Sequence, residues 1–216
     1  MKKAIGILVV LLMAASAQAA ISVNFSGGWM SGPYPLSGTT GAVPLGNWNN
    51  WMTGAHQNMT WATSPALIDS DGNATTVTLT AGSPNHTQLQ DDGPGPGNNS
   101  GGIQTLFYGK IRANTDGGPT TVYSTGMTGT YNLIVYASSN VTLVQGGGTG
   151  NGVTGDGSLG SGYVEGTNYC VFTGVSGDFK FTTGNAVYGL QIIPEPATMS
   201  LLVLGGVAAL LRRKRR

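Results

Sequence analysis

The arrangement of apolar and polar positions divides the chain into three parts. Mainly apolar runs occupy residues 4–15 and 197–211, and the second is interrupted only by Thr198, Ser200, Gly205 and Gly206. The stretch between them contains short segments in which apolar and polar residues alternate. Alternation with a period of two is typical of strands with one buried face, and long apolar runs are typical of segments that enter a membrane. The pattern therefore predicts a terminal segment over residues 1–19, one domain over residues 20–193 and a second terminal segment over residues 194–216.

The central domain is predicted to contain about eight strands. In the first of them Ile21, Val23 and Phe25 lie on one face, and turn-forming pairs such as Asp71-Gly72 separate several of the others. Short strands joined by turns, without helical periodicity or an internal repeat, favour an all-β fold and within it a jelly-roll-like β-sandwich. The predicted strands are residues 21–25, 75–80, 103–112, 130–137, 141–144, 168–175, 178–183 and 186–193.

Composition agrees with this fold class. The 216 residues include 36 glycines and a single cysteine, Cys170. Abundant Gly, Thr, Ser and Asn favour strands and tight turns, and a lone cysteine excludes an intramolecular disulfide. The neighbours Tyr169, Val171 and Phe172 predict a buried strand position for this thiol, and an intermolecular disulfide is the alternative.

The N-terminal segment has the three regions of a secretory signal peptide. Lys2 and Lys3 form its positive region, residues 4–15 its apolar helix, and Ala17-Gln18-Ala19 a small-x-small cleavage site. We expect signal peptidase to cut between Ala19 and Ala20. A retained N-terminal anchor is the alternative, although the apolar run is short for a membrane span.

The C-terminal segment begins with Pro194-Glu195-Pro196 and continues with the apolar run to Leu211. As a helix this run would be about 22 Å long, which predicts a short transmembrane helix helped by snorkelling of the basic residues that follow it. Those cations hold the end of the chain on the cytoplasmic side and leave the domain outside. They are Arg212, Arg213, Lys214, Arg215 and Arg216.

The order of these three features resembles the PEP-CTERM sorting signal of exopolysaccharide-producing Gram-negative bacteria. The resemblance covers about a tenth of the chain and rests on Pro194, Glu195, Pro196, the apolar run and the basic end. It implies that a membrane-embedded exosortase recognises the segment and cleaves near the Pro-Glu-Pro. The protein would then move from a membrane-anchored state to the cell surface or the extracellular matrix. An ordinary single-pass anchor is the alternative reading of the same residues.

Without its two ends, the domain is acidic. The whole chain carries a formal charge of +1, but residues 20–193 contain three basic and eight acidic residues, for a net charge of −5. Nucleic-acid binding needs a clustered basic face that such a domain lacks. We therefore expect no nucleic acid among the partners.

The domain also resembles the galactose-binding-like domains of bacterial surface proteins. The similar positions are the opening segment 21–25, the central segment 129–136 and the closing segment 187–193. This resemblance implies a jelly-roll fold for the domain.

The best candidate for a carbohydrate site is Trp48-Asn49-Asn50-Trp51, with Trp29, Tyr34 and Trp61 nearby in the sequence. Sugar rings pack on exposed indoles, and amide side chains can bond the hydroxyls. The alternative is that these tryptophans close the end of the hydrophobic core.

A calcium site is one interpretation of Asp69, Asp71 and Asn73, which place oxygen ligands at alternate positions. Thr80 stands where an EF-hand requires a bidentate Glu, so an EF-hand is excluded. The alternative is an Asp-Gly turn that leads into a strand. No other cofactor is expected.

Catalytic residues are scarce. His56 and His86 are the two histidines, and no serine lies in a Gly-x-Ser-x-Gly elbow. The carboxylate pairs Asp69/Asp71 and Asp91/Asp92 lie beside Gly or Pro, where Asp favours turns. We expect a non-enzymatic structural or adhesive protein of the exopolysaccharide layer. A carbohydrate-binding module is the alternative, followed by a surface glycoside hydrolase.

Overall fold

The computed structural model describes residues 19–26, 35–51, 58–91, 106–107, 109–113, 118–150, 152 and 162–195. The chain divides into two compact units, of which one is Ala19–Ile193 and the other combines Met1–Gln18 with Pro194–Arg216. Both predicted terminal helices, Ala17 and the basic C-terminal end lie outside the described residues. Within the described residues, no helix has the length and apolar character needed to cross a membrane.

The domain is all-β, and its strands are consistent with a β-sandwich. Hydrogen-bonded ladders connect the strands that the structure describes into one branched network. They are β1 (Ile21–Phe25), β2 (Asn49–Trp51), β3 (Asn58–Thr63), β4 (Thr78–Asp91), β5 (Gly109–Ala113), β6 (Thr120–Thr125), β7 (Thr130–Ala137), β8 (Val141–Gln145), β9 (Tyr169–Ser176), β10 (Lys180–Thr183) and β11 (Val187–Pro194).

The order along the main path of the network is β2-β1-β11-β5-β4-β6-β10-β8. Two long strands change partners along their length. β4 pairs with β6 in its first half and with β5 in its second half, and β3 lies along its other edge. β11 pairs with β1, β5 and β7, and β7 also pairs with β9. These changes of partner let the sheet turn corners and enclose a core.

Side-chain alternation produces two buried apolar clusters. On β7, Tyr131, Leu133 and Val135 face the main core, whereas Ile134 and Tyr136 face a second cluster on the opposite side. β7 is therefore covered on both faces, which explains its nearly continuous apolar sequence. The second cluster matters for the candidate site because the segment 35–48 packs on it.

The structure adds three strands to the predicted eight, namely β2, β3 and β6. The prediction missed them because β2 is only three residues long and β6, with the sequence TTVYST, is mostly polar. Six predicted strands also have different bounds, and for β8, β9, β10 and β11 the difference is only one or two residues. β4 begins at Thr78, after a turn, and runs to Asp91, and β5 begins only at Gly109. β1 and β7 have the predicted bounds.

The predicted burial of Cys170 is confirmed. Its side chain is fully buried on β9, and its sulfur lies 3.8 Å from the carbonyl oxygen of Val135 on β7. A buried free thiol of this kind behaves as a small hydrophobic side chain.

Candidate functional site

The two ends of the domain lie on neighbouring strands. β1 and β11 pair antiparallel, with Ile21 opposite Ile192. The predicted signal-peptidase junction, Ala19 and Ala20, directly precedes β1, and Pro194 is the last residue of β11. Because the strands are antiparallel, the chain enters and leaves the domain at the same end of this pair.

The strand β11 ends where the Pro-Glu-Pro begins. Pro194 has no amide hydrogen and so cannot donate a further ladder hydrogen bond, which ends the regular pairing. The side chain of Glu195 follows in an exposed position. Pro196 and the remaining residues of the sorting signal lie outside the described residues.

Trp48 and Trp51, at the centre of the predicted carbohydrate site, are buried, whereas Trp29 and Tyr34 lie outside the described residues. Trp48 is 6% exposed and Trp51 is 8% exposed. The Trp48 indole donates a hydrogen bond of 2.9 Å to the carbonyl of Leu45, and the Trp51 ring packs against Phe25 with centroids 5.5 Å apart. Trp51 packs in the main core and Trp48 in the second cluster, as expected if these tryptophans close the end of the hydrophobic core.

The two asparagines between them bond to the backbone of neighbouring segments. The Asn49 amide donates to the carbonyls of Ser22 and Ile68, at 3.0 and 2.8 Å, and its oxygen accepts the Ile68 amide hydrogen at 2.8 Å. The Asn50 side chain makes a matching pair of bonds with the Leu36 backbone, at 2.7 and 3.0 Å. These side chains hold β2 in place, so their hydrogen-bonding groups are largely occupied.

A pocket of about 510 Å³ nevertheless lies beside these residues. Residues 48–51 form one wall, and the segment 64–68 forms the other. Pro65 and Ala66 are exposed at its side. Because Trp48 and Trp51 are almost completely buried, the pocket offers an incoming sugar ring little aromatic surface.

The predicted calcium residues form a turn. The Asp69 carboxylate accepts the backbone amide hydrogens of Asp71 and Asn73, at 2.9 and 2.8 Å, and the Asn73 side-chain amide at 3.2 Å. Hydrogen bonding from the Asn73 amide is the main reason why the pKa of Asp69 lies below its ordinary value. The turn accounts for the Asp-Gly sequence without a metal ion, and calcium binding remains the untested alternative interpretation of these residues.

A polar network that the sequence did not reveal lies inside the second cluster. The Tyr136 hydroxyl donates to the side-chain oxygen of Gln191 and accepts the Ala42 amide hydrogen. The Gln191 amide donates to the Val43 carbonyl at 2.8 Å. Burial raises the pKa of Tyr136 above its ordinary value, so the hydroxyl stays protonated and able to donate. A polar Gln in an otherwise apolar strand was the available signal.

A second feature missed by the sequence reasoning is a polar, partly aromatic sheet surface. The outward side chains of β3, β4, β6, β10 and β8 form what we call the threonine face. Its central members are Trp61, Thr63, Thr80, Tyr123, Lys180 and Thr182. Trp61 is 43% exposed, unlike Trp48 and Trp51. The alternating Thr-x-Thr patterns of these strands were the signal that could have located this surface.

The candidate catalytic residues are brought together nowhere that the structure describes. His56, Asp92 and the side chains of His86 and Asp91 lie outside the described part. Among the residues that the structure describes, no three His, Cys, Asp or Glu side chains form a group able to hold a metal ion.

Comparison with known proteins identifies the C-terminal segment. Residues 193–216 match the PEP-CTERM protein-sorting motif. No curated protein and no solved structure is detectably similar to the chain. The motif implies export, a C-terminal membrane anchor before processing, and processing by an exosortase.

Proposed function

We propose that this protein is a structural or adhesive component of the exopolysaccharide layer, delivered there through its C-terminal signal. The observation that carries the proposal is the match of residues 193–216 to the PEP-CTERM sorting motif. An N-terminal signal peptide would export the chain, and the C-terminal helix would hold it until an exosortase cuts near the Pro-Glu-Pro. The β domain would then remain at the cell surface or in the extracellular matrix.

The end of β11 supports this order of events. The strand stops at Pro194 and Glu195 is exposed, so a processing enzyme can reach the tripeptide without opening the core. Buried polar side chains such as Gln191 hydrogen-bond to neighbouring segments of the domain, which suits a stable structural protein with no catalytic role. The same proposal includes two expected absences: the protein has no enzymatic activity, and it does not bind nucleic acid.

The experiment is the intact mass of the protein recovered from the producing cells. For the natural chain we expect a mass that lacks residues 1–19 and, after a cut near the Pro-Glu-Pro, also lacks the basic end Arg212 to Arg216. The double variant Glu195→Ala with Pro196→Ala should keep the basic C-terminal end. Pro119→Ala, at an exposed proline far along the chain from the signal, is the matched control and should be processed normally. A natural chain that still carried Arg212 to Arg216 would overturn the processing step.

The finer fold assignment also belongs to the proposal. A galactose-binding-like jelly roll is supported by the two apolar clusters and by the pairing of the first and last strands. The parallel pairing of β1 with β2 departs from the antiparallel pattern that such sandwiches follow.

A carbohydrate-binding module is the second candidate, because the pocket beside residues 48–51 has the size of a small-ligand site. Its test is a glycan array probed with the natural chain and with Ala66→Arg. This substitution places a long side chain at an exposed position of the pocket wall without removing a core residue. Glycan binding that Ala66→Arg abolishes would support the pocket as the site, and binding that survives the substitution would exclude it.

A further inference from the structure

The threonine face lies on the opposite side of its strands from the main core. On β10, Phe181 points into the core, whereas Lys180 and Thr182 point outward. The same alternation places Leu79 inside and Thr80 outside on β4. The sheet is five strands wide here, which corresponds to about 19 Å at the usual strand spacing.

An exposed aromatic pair stands on this face. The ring centroids of Trp61 and Tyr123 are 6.2 Å apart, and their planes are inclined by 54°. Trp61 lies opposite Gly82 in the ladder, and because glycine has no side chain, the indole has room beside it on the sheet. An indole that is 43% exposed has ring surface left over for a partner. Aromatic surfaces of this kind pack against the C–H faces of sugar rings.

Hydroxyl groups surround the pair in rows that follow the strand register. One row contains Thr63, Thr80, Tyr123 and Lys180 in successive strands. The hydroxyls of Thr63 and Thr80 are 2.9 Å apart. Thr80 is buried in this row, whereas Thr63 is exposed, and a threonine hydroxyl can donate one hydrogen bond and accept two, so Thr63 keeps bonding capacity toward solvent. Such a surface complements a chain that is itself rich in hydroxyl groups.

The charge on this face is opposite to the charge of the domain. Residues 20–193 have a net charge of −5 and only three basic residues. Lys110 is buried and Arg112 is half-buried, whereas Lys180 lies on the threonine face between Tyr123 and Gln145. Among the outward-facing residues that the structure describes on these strands, none is a carboxylate. Because the outward residues described on these strands include Lys180 and no carboxylate, this part of the face can pair with an anionic group of a ligand.

We propose that the threonine face is the binding site for an acidic polysaccharide. A sugar ring packs on Trp61 and Tyr123, neighbouring threonines bond the hydroxyls, and Lys180 attracts a uronate carboxylate of the chain. This inference rests on the proposed function, because it names the chemical class of partner that holds the domain in the exopolysaccharide layer. The site differs from the pocket beside residues 48–51.

The test is electrophoresis of the full-length protein, purified in a non-ionic detergent, through native gels that contain polygalacturonate. Gels with neutral dextran and gels without polysaccharide are run in parallel, so that changes in protein charge are corrected. We expect polygalacturonate to retard the natural chain more than dextran does. Trp61→Ala should raise the apparent Kd roughly tenfold, as removal of a packed ring does. Lys180→Gln should raise it roughly threefold at low salt, with a smaller difference at high salt.

Controls separate the site from the fold and from the sorting step. Val164→Ala removes another exposed apolar side chain outside this face and should leave retardation unchanged. Lys180→Arg should restore the retardation lost in Lys180→Gln. The Glu195→Ala, Pro196→Ala variant should bind polygalacturonate normally even though it is not processed, so failure of sorting and failure of binding are distinguishable.

Three outcomes would overturn the inference. The first is a natural chain that polygalacturonate does not retard more than dextran does. The second is retardation that Trp61→Ala and Lys180→Gln both leave intact. The third is retardation abolished by Ala66→Arg, which would assign binding to the pocket.

Discussion

Two aromatic regions of this protein look alike in sequence and differ in structure. Trp48 and Trp51 flank two asparagines, and Trp61 also follows closely after an asparagine, Asn58. The first two indoles are almost completely buried, whereas Trp61 is exposed beside Tyr123. The segment that most resembles a sugar-binding motif, residues 48–51, thus has a structural role in the core. The exposed ring, Trp61, lies on β3, a strand that the sequence did not predict.

The difference has a local cause. β2 pairs in parallel with β1, which is buried along its whole length, so Trp51 is carried into the main core beside Phe25. Asn49 and Asn50 then satisfy the backbone of segments that would otherwise be left without partners. β3, in contrast, has a solvent-facing side, and Trp61 lies there. Neighbouring strands, more than neighbouring residues, decide the role of an aromatic side chain.

The largest effect should separate the two regions directly. Trp51→Ala is expected to lower the free energy of unfolding by about 3–5 kcal/mol, because it leaves a cavity in the core. Trp61→Ala should lower it by about 1–2 kcal/mol, since nearly half of this side chain is already in water. Equilibrium denaturation of both variants measures the difference. Equal losses would show that both indoles support the fold alike.

A smaller loss is expected from Asn49→Ala. The substitution removes the partners of the Ser22 carbonyl and of both backbone groups of Ile68. Leaving such groups unsatisfied should cost about 1–3 kcal/mol. Asn140→Ala, at an exposed position before β8, is the control and should be nearly neutral. A neutral Asn49→Ala would mean that this amide is free for a ligand after all.

Two threonines sharpen the comparison further. The Thr75 hydroxyl donates to the Leu67 carbonyl at 2.8 Å and accepts the Val77 amide hydrogen at 3.1 Å, so Thr75→Val should cost about 1–2 kcal/mol. Thr63→Val, on the threonine face, should change stability by less than about 0.5 kcal/mol. Thermal unfolding of the pair reports the difference. A costly Thr63→Val would assign this face to folding instead of binding.

The smallest expected effect is a change of stability with pH that depends on Asp69. The turn at Asp69 supports the Trp48–Trp51 region, because the Asn47 side chain bonds the Ser70 carbonyl within it. The pKa of Asp69 is lowered in the fold, so its stabilising contribution is present above about pH 4, the unfolded value, and is lost as the pH falls below it. Melting temperatures of the natural chain and of Asp69→Asn should therefore differ at pH 7 and converge in acid.

Asp71→Asn, at an exposed residue of the same turn, is the control and should follow the natural chain. The same samples test calcium. Since the Asp69 oxygens already accept hydrogen bonds from the turn, we expect calcium to leave the melting temperature unchanged. A rise with calcium that disappears in Asp69→Asn would contradict the turn interpretation.

The sequence predicted the parts of the fold that depend on local pattern. β1 and β7 were located by the alternation of residues such as Val23 and Val135, whose inward faces are strongly apolar. β6 was missed because some of its inward positions, such as Ser124, are polar. Ser124 can be buried because its hydroxyl accepts a hydrogen bond of 2.9 Å from the Phe179 amide. No local pattern distinguishes such a strand from a loop.

The same limit applies to the candidate sites. The sorting signal is linear, so the order of Pro194, the apolar run and the basic end was enough to identify it, and the family comparison agrees. The exposure of an aromatic ring cannot be read from neighbouring residues in the same way, because it depends on which distant segments of the chain pack on the ring.

By itself, then, the sequence determined the C-terminal sorting signal and the all-β class of the domain. The signal is a run of consecutive residues, and the class follows from apolar positions that alternate with a period of two. Tertiary structure alone decided which aromatic rings are covered and which face the solvent. The segment 35–48, which covers the second apolar cluster, is held in place by contacts between distant residues. The hydrogen bond of Gln191 with Val43, for example, joins residues 148 positions apart. Long-range pairing of this kind is a property of the folded chain, because its partners meet only when the strands between them are in register.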